Sequence, residues 1–209
     1  MKLRMHTAAA LLAALLAAPL ATGADLTASM SEGKPDLKSI GPIAFGPEGI
    51  LFAADSKSAA VFAIATGDTK GVQADSLKVE NLDEKIAALL GTSVEQILVN
   101  DLAVNPASGT PYLAVSRGRG PDAKPVLLKV NGDGSLALVS LDKVKFSIAA
   151  LPNAPAEKVV GQVRRRKNSR PESTTDIASP NGDGTDAGLR LAKLSPPPRH
   201  IPFLSQGSG

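Results

Sequence analysis

Two segments, NGDGS at 131–135 and NGDGT at 181–185, space side-chain oxygens much as a calcium loop does. An EF-hand-type loop also needs a glycine at its sixth position and a bidentate glutamate at its twelfth. Counting from Asn181, the twelfth residue is Ala192. Counting from Asn131, it is Asp142, and the sixth is Leu136. Asn-Gly and Asp-Gly are also strong hairpin signals, and both segments are read as turns. RGRGPD at 117–122 presents Arg117 and Arg119 spaced by glycines, a basic loop suited to an anionic ligand. It is not a phosphate-binding P-loop, because the Lys-Ser/Thr ending is missing. RRRK at 164–167 is a second basic run, read as a flexible basic tail.

Other chemistries lack their side chains. The chain has no cysteine, so neither disulfides nor thiolate nucleophiles are available. Its two histidines, His6 and His200, fall near the two ends. No Gly-x-Ser-x-Gly elbow and no paired-histidine motif occur. Hydrolase triads, redox centres and zinc sites therefore have no residues in the body of the protein, and no catalytic residue is assigned. The net charge of +3 is unevenly spread. Residues 25–154 hold 12 Lys+Arg against 15 Asp+Glu, whereas residues 155–209 hold 9 against 5. The basic character lies outside the body, so a nucleic-acid partner is not expected.

The elements that must position these residues are mostly short strands. The N terminus carries Lys2 and Arg4, then an apolar run from Thr7 to Leu16, then small residues to Ala24. That is the pattern of a signal peptide over 1–24, with a secreted or periplasmic product and no transmembrane anchor. A polar lead-in covers 25–39. PIAF (42–45), ILFAAD (50–55) and AVFAIA (60–65) read as strands, joined by GPEG with Pro47 at the second turn position and Gly49 at positive φ. NDLAVNPASGTPYLAVSRG (100–118) repeats that unit, with Gly109 in the place of Gly49. PVLLKVNGDG and SLALVSL supply two further strands. NLDEKIAALLG (81–91) predicts a short inserted helix, with Asn81 as N-cap, Gly91 as stop, and Ile86, Leu89 and Leu90 as its buried face. TTDIASPNGDG (174–184) begins a third copy, after which no apolar strand is expected and Pro196 to Pro198 break the pattern.

GPIAFGPEGILFAAD and NDLAVNPASGTPYLAV resemble the blades of extracytoplasmic six-bladed β-propellers, the group that includes NHL-repeat proteins and the gluconolactonase or regucalcin-like lactonases. The resemblance covers roughly residues 38–142. It implies an all-β fold of propeller-like blades, two credible and one a remnant. The propeller-like domain is placed at 40–154, with the helical insert near 82–91, and a basic linker and low-order tail at 155–209. It also implies, in the lactonase branch, a divalent cation such as Ca²⁺ on Asn100 and Asp101. The glutamate of that pattern is replaced by Ile40, before Gly41–Pro42, which weighs against lactone hydrolysis. Without the resemblance, Asn100 and Asp101 read as residues that bond locally to the backbone at a strand entrance.

A closed propeller needs at least four blades to protect its end strands. A fragment or frame-damaged copy of a longer propeller, closure by self-association, and a small open β-sheet domain each account for the shortfall. Loss of strand periodicity near residue 180 favours the first. The expected function is a binding or structural module of unknown ligand and partner, with no cofactor. A metal-dependent lactonase-like hydrolase is the alternative.

Overall fold

A computed structural model describes residues 25–71 and 77–151, together with the backbone of three later strands. The signal-like segment 1–24, RRRK, the second NGDG and Pro196 to Pro198 lie outside the described residues. The elements are β1 (Ser31–Gly33), β2 (Ile43–Phe45), β3 (Ile50–Asp55), β4 (Ala60–Ala65), α1 (Leu82–Leu90), β5 (Ile97–Val104), β6 (Pro111–Arg117), β7 (Lys124–Val130), β8 (Leu136–Leu138) and β9 (Val144–Ala150). The later strands are β10 (Asp176–Ala178), β11 (Gly188–Ala192) and β12 (Arg199–Pro202). The described residues are all-β apart from one α-helix and three short 3-10 turns, and every strand pair among them is antiparallel. No sheet closes on itself among the described residues.

The first sheet runs β1-β9-β4-β3-β2. Its two middle strands, ILFAAD and AVFAIA, are buried on both faces, which is why they read as continuous apolar runs. One face places Ile50, Phe52, Ala54, Val61 and Ala63 against Met30 and Leu151. The other places Ile43, Phe45, Leu51 and Ala53 against Tyr112, Ala114 and Leu127 of the second sheet. Alanines at Ala53 and Ala114 let the two sheets approach, and Phe45 meets Tyr112 edge-on with ring centroids 5.0 Å apart. The lead-in is part of this sheet, because β1 pairs with β9 and Met30 is buried.

The second sheet is a plain meander, β5-β6-β7-β8. Its outer face carries a row of leucines across all four strands, Leu102, Leu113, Leu128 and Leu138. Helix α1 covers the middle of the row with Ile86, Ala87 and Leu90, and the leucines at the two ends stay exposed. The helix lies where its sequence predicts, but two details differ. Leu89 is 38% exposed and Ala87 takes its place in the core. Asn81 is left-handed (φ +52°) and makes no side-chain cap, a backbone region asparagine tolerates better than most residues. Gly91 ends the helix as expected, its left-handed N–H reaching the carbonyls of Ala87 and Ala88.

One pairing has no local signal in the sequence, and one expectation fails. The fourth strand beside β4 is β9, which returns from beyond the second sheet, in register from Ala60↔Ala150 to Ile64↔Phe146. The third copy also continues past its first strand. β10, β11 and β12 form a three-stranded sheet, and β10 lies beside β2. The expectation that no strand follows TTDIASPNGDG is thus not met. The segment GLRLA does alternate in period two, over a length too short to stand out by itself.

The repeat's turn glycines behave as their spacing predicts. Gly49 has φ +68° and Gly109 φ +72°. A Cβ on Gly49 would fall 2.4 Å from the Asp68 carbonyl oxygen. Gly49→Ala is expected to cost about 2–3 kcal/mol, from backbone strain plus that clash. Gly67, at φ +70° with open space around it, is the control. Gly67→Ala should cost only about 1 kcal/mol, and urea unfolding of the two variants separates strain from clash.

Candidate functional site

Three polar clusters stand out, two of them where strands end. The first lies midway along β5 rather than at the strand entrance that the sequence suggests, because pairing with β6 already begins at Ile97. A β-bulge separates Val99 from Asp101 in the pairing with β6, and Asn100 is the extra residue. The Asn100 side-chain amide donates to Ser116 Oγ at 2.8 Å. Asp101 Oδ2 accepts the Ile43 N–H at 2.8 Å, and its Oδ1 accepts the Leu102 N–H at 2.8 Å. Asp101 therefore ties the edge of β2 to the edge of β5. A hard cation such as Ca²⁺ needs about six to eight oxygens. Here both carboxylate oxygens already serve backbone donors, Ile40 is a buried apolar residue, and no cluster of three His, Cys, Asp or Glu forms among the described residues. This donor set does not fit a divalent metal.

The second cluster is basic. Arg117 closes β6 and reaches the Gly91 carbonyl at 3.5 Å. Arg119 donates through Nε to the Glu95 carbonyl at 2.7 Å. Both guanidinium groups thus lie along the segment that follows α1, brought there by the tight turn from Gly118 to Asp122. Arg117 stands directly opposite Lys124 in the β6–β7 register. Lys57, from the β3–β4 turn, donates to the Pro121 carbonyl and brings a further cation to the same end. Among the described residues, ion pairs join Lys34 to Asp142, Lys38 to Asp36 and Lys78 to Glu80, and none reaches Arg117, Arg119 or Lys124.

The third cluster joins the two sheets at the opposite ends of the strands. Asp68 follows β4. Its Oδ2 accepts hydrogen bonds from Ser108 Oγ at 2.7 Å and Tyr112 Oη at 3.1 Å, and its main-chain carbonyl accepts from Asn105 Nδ2 at 2.6 Å. Burial pushes the Asp68 carboxyl up, but bonding to Ser108, Asn105, Tyr112 and Thr110 together outweighs it and holds the group below the usual aspartate value. The same environment pushes the Tyr112 phenol up to about 12, through burial first and then the Asp68 charge and hydrogen bond. These hydrogen bonds fasten the end of β4 to the β5–β6 turn and to β6 of the second sheet.

Sequence reasoning places Asn100, Asp101, Arg117 and Arg119 at strand ends, and the structure puts the first pair and the second pair in separate clusters. It misses Asp68, Ser108 and Tyr112, whose residues are scattered along the chain. The available signal is that Tyr112 is the chain's single tyrosine, set in an apolar strand. No known protein family, curated protein or solved structure matches this chain.

Proposed function

We propose that this chain is an extracytoplasmic binding module built from propeller-type blades, and that an anionic ligand meets it at Arg117 and Arg119. One observation carries the ligand reading: Arg117 faces Lys124 across the β6–β7 pair, where like charges repel. Arg119 adds a third cation, and an anion lying across them would turn the repulsion into charge-assisted hydrogen bonds. The blade reading rests on the four-stranded meander, the repeated turn glycines and the joined edges of β2 and β5, which sit as the inner strands of neighbouring blades would. The leader-like N terminus supports an extracytoplasmic site of action. A second copy of the chain is the partner that would complete the ring. Binding is preferred to lactone hydrolysis because Asp101 is spent on the backbone of two strands.

Retention on an immobilised sulfated polysaccharide, used as a polyanion probe, tests the ligand reading. Arg117→Glu combined with Arg119→Glu should weaken binding about tenfold or more, and binding should weaken as salt rises. Lys85→Glu changes charge on the exposed helix surface and should leave retention nearly unchanged. Equal losses in both variants would reduce the effect to net charge and overturn the assignment.

A further inference from the structure

We propose that Asn131 is a site of spontaneous succinimide chemistry in the folded protein, converting to aspartate and isoaspartate in the β7–β8 turn. In this reaction the Gly132 nitrogen attacks Asn131 Cγ. A bond forms between them, the Cγ–Nδ2 bond breaks, and ammonia leaves carrying the proton lost by the Gly132 amide. Water then opens the ring at either carbonyl. One water is consumed and one ammonia released, and no oxidant or cofactor is needed.

The local structure favours Asn131 over the other described asparagines. The attacking nitrogen must be unencumbered, and among the described residues the Gly132 N–H has no hydrogen-bond partner. Its neighbours are engaged: the Asn131 N–H bonds to the Ser135 carbonyl, the Gly134 N–H to the Asn131 carbonyl, and the Ser135 N–H to Asp133 Oδ1. Gly132 is exposed, with nothing within 4 Å of where a Cβ would lie, so no side chain hinders the approach. The leaving amide is held in the turn by a 2.9 Å bond from Asn131 Nδ2 to Ser135 Oγ. By contrast, Asn105 precedes Pro106, which has no N–H to lose, and Asn100 sits in a paired strand. Asn81 precedes the first residue of α1, where the backbone is fixed.

The product changes the hairpin. Isoaspartate adds one backbone carbon at a turn whose first pair is Val130↔Leu136, and a new negative charge appears beside Asp133. The three-residue strand β8 is the element this loosens.

The test is to hold the folded full-length chain at mildly alkaline pH and map its peptides by mass over time. The peptide containing Asn131 should shift from amide to acid and split into aspartate and isoaspartate forms. Backbone amide protection should fall in parallel at Leu136 to Leu138. In Gly132→Ala the conversion should be lost over the same period. The inference is overturned if Asn131 stays intact in the folded chain while the Asn181–Gly182 pair, or the same peptide excised from the protein, converts. It is equally overturned if Gly132→Ala converts at the wild-type rate.

Discussion

Asp55→Ala is expected to destabilise the protein by about 3–5 kcal/mol, a large share of a domain's typical 5–15 kcal/mol. The carboxylate closes β3, is fully buried, and answers five donors. Oδ1 accepts the N–H groups of Ser39 and Ser58, both at 3.1 Å, and the Ser39 hydroxyl at 2.5 Å. Oδ2 accepts the Lys38 N–H and the Ser58 hydroxyl, both at 2.7 Å. Alanine removes every acceptor at once, and each donor left buried without a partner costs about 1–3 kcal/mol, partly relieved by water. Asp55→Asn keeps the shape but turns an amide donor toward the same N–H groups. It should cost less than alanine but still about 2 kcal/mol. Ser39→Ala and Ser58→Ala should each cost about 1 kcal/mol, and their double variant should deviate from additivity because they share one acceptor. Urea unfolding with linear extrapolation measures all five. An Asp55→Ala loss under about 1 kcal/mol would show that the carboxylate does not anchor the lead-in.

The second large effect is alkaline. The folded state keeps the Tyr112 proton to about pH 12, whereas the unfolded chain releases it near pH 10.0. Between those values the unfolded state binds fewer protons, so stability falls as pH rises. It is intact below pH 10 and about 2–3 kcal/mol lower by pH 12. The chain has one tyrosine and no tryptophan, so tyrosinate absorbance reports this one phenol. It should appear late and together with the loss of far-UV circular dichroism. A reversible titration centred near 10 with the fold intact would refute the buried, carboxylate-bonded phenol. Asp68→Asn removes the neighbouring charge and should move the titration part of the way back, since burial, the largest cause, remains. Tyr112→Phe keeps the ring against Phe45, costs about 1 kcal/mol at neutral pH, and should abolish the loss between 10 and 12.

Features of short range are the ones the sequence displays. The turn at Gly49, its copy at Gly109, the helix stop at Gly91 and the meander from β5 to β8 all follow from residues within a few positions of one another. The Asp55 knot is half visible: a charged residue ends an apolar run, but its donors Lys38 and Ser39 come from a segment that reads as a polar lead-in. Asp68, Ser108 and Tyr112 are invisible as a group because only the packing of one sheet on the other brings them together. Leu89 shows the limit of periodicity. Helical spacing marks it as core, yet the leucine row beneath α1 is filled by the smaller Ala87. Strand β9 escapes for the opposite reason, since VKFSIAA alternates well but nothing local names its partner.

The return of β9 has a consequence for the order of synthesis. Strand β4 gains its outer neighbour only when residues 144–150 have been made, and the pairing Phe62↔Ile148 spans the whole second sheet. Until then the nascent chain carries an unpaired edge of alternating alanine, valine, phenylalanine and isoleucine, the kind that recruits other chains. Such long-range pairing is slow to form, because the loop between the partners must be ordered first. A chain stopped just before Val144 would hold all of the second sheet and most of the first, yet leave that edge open. Such a product would aggregate rather than fold to a smaller domain.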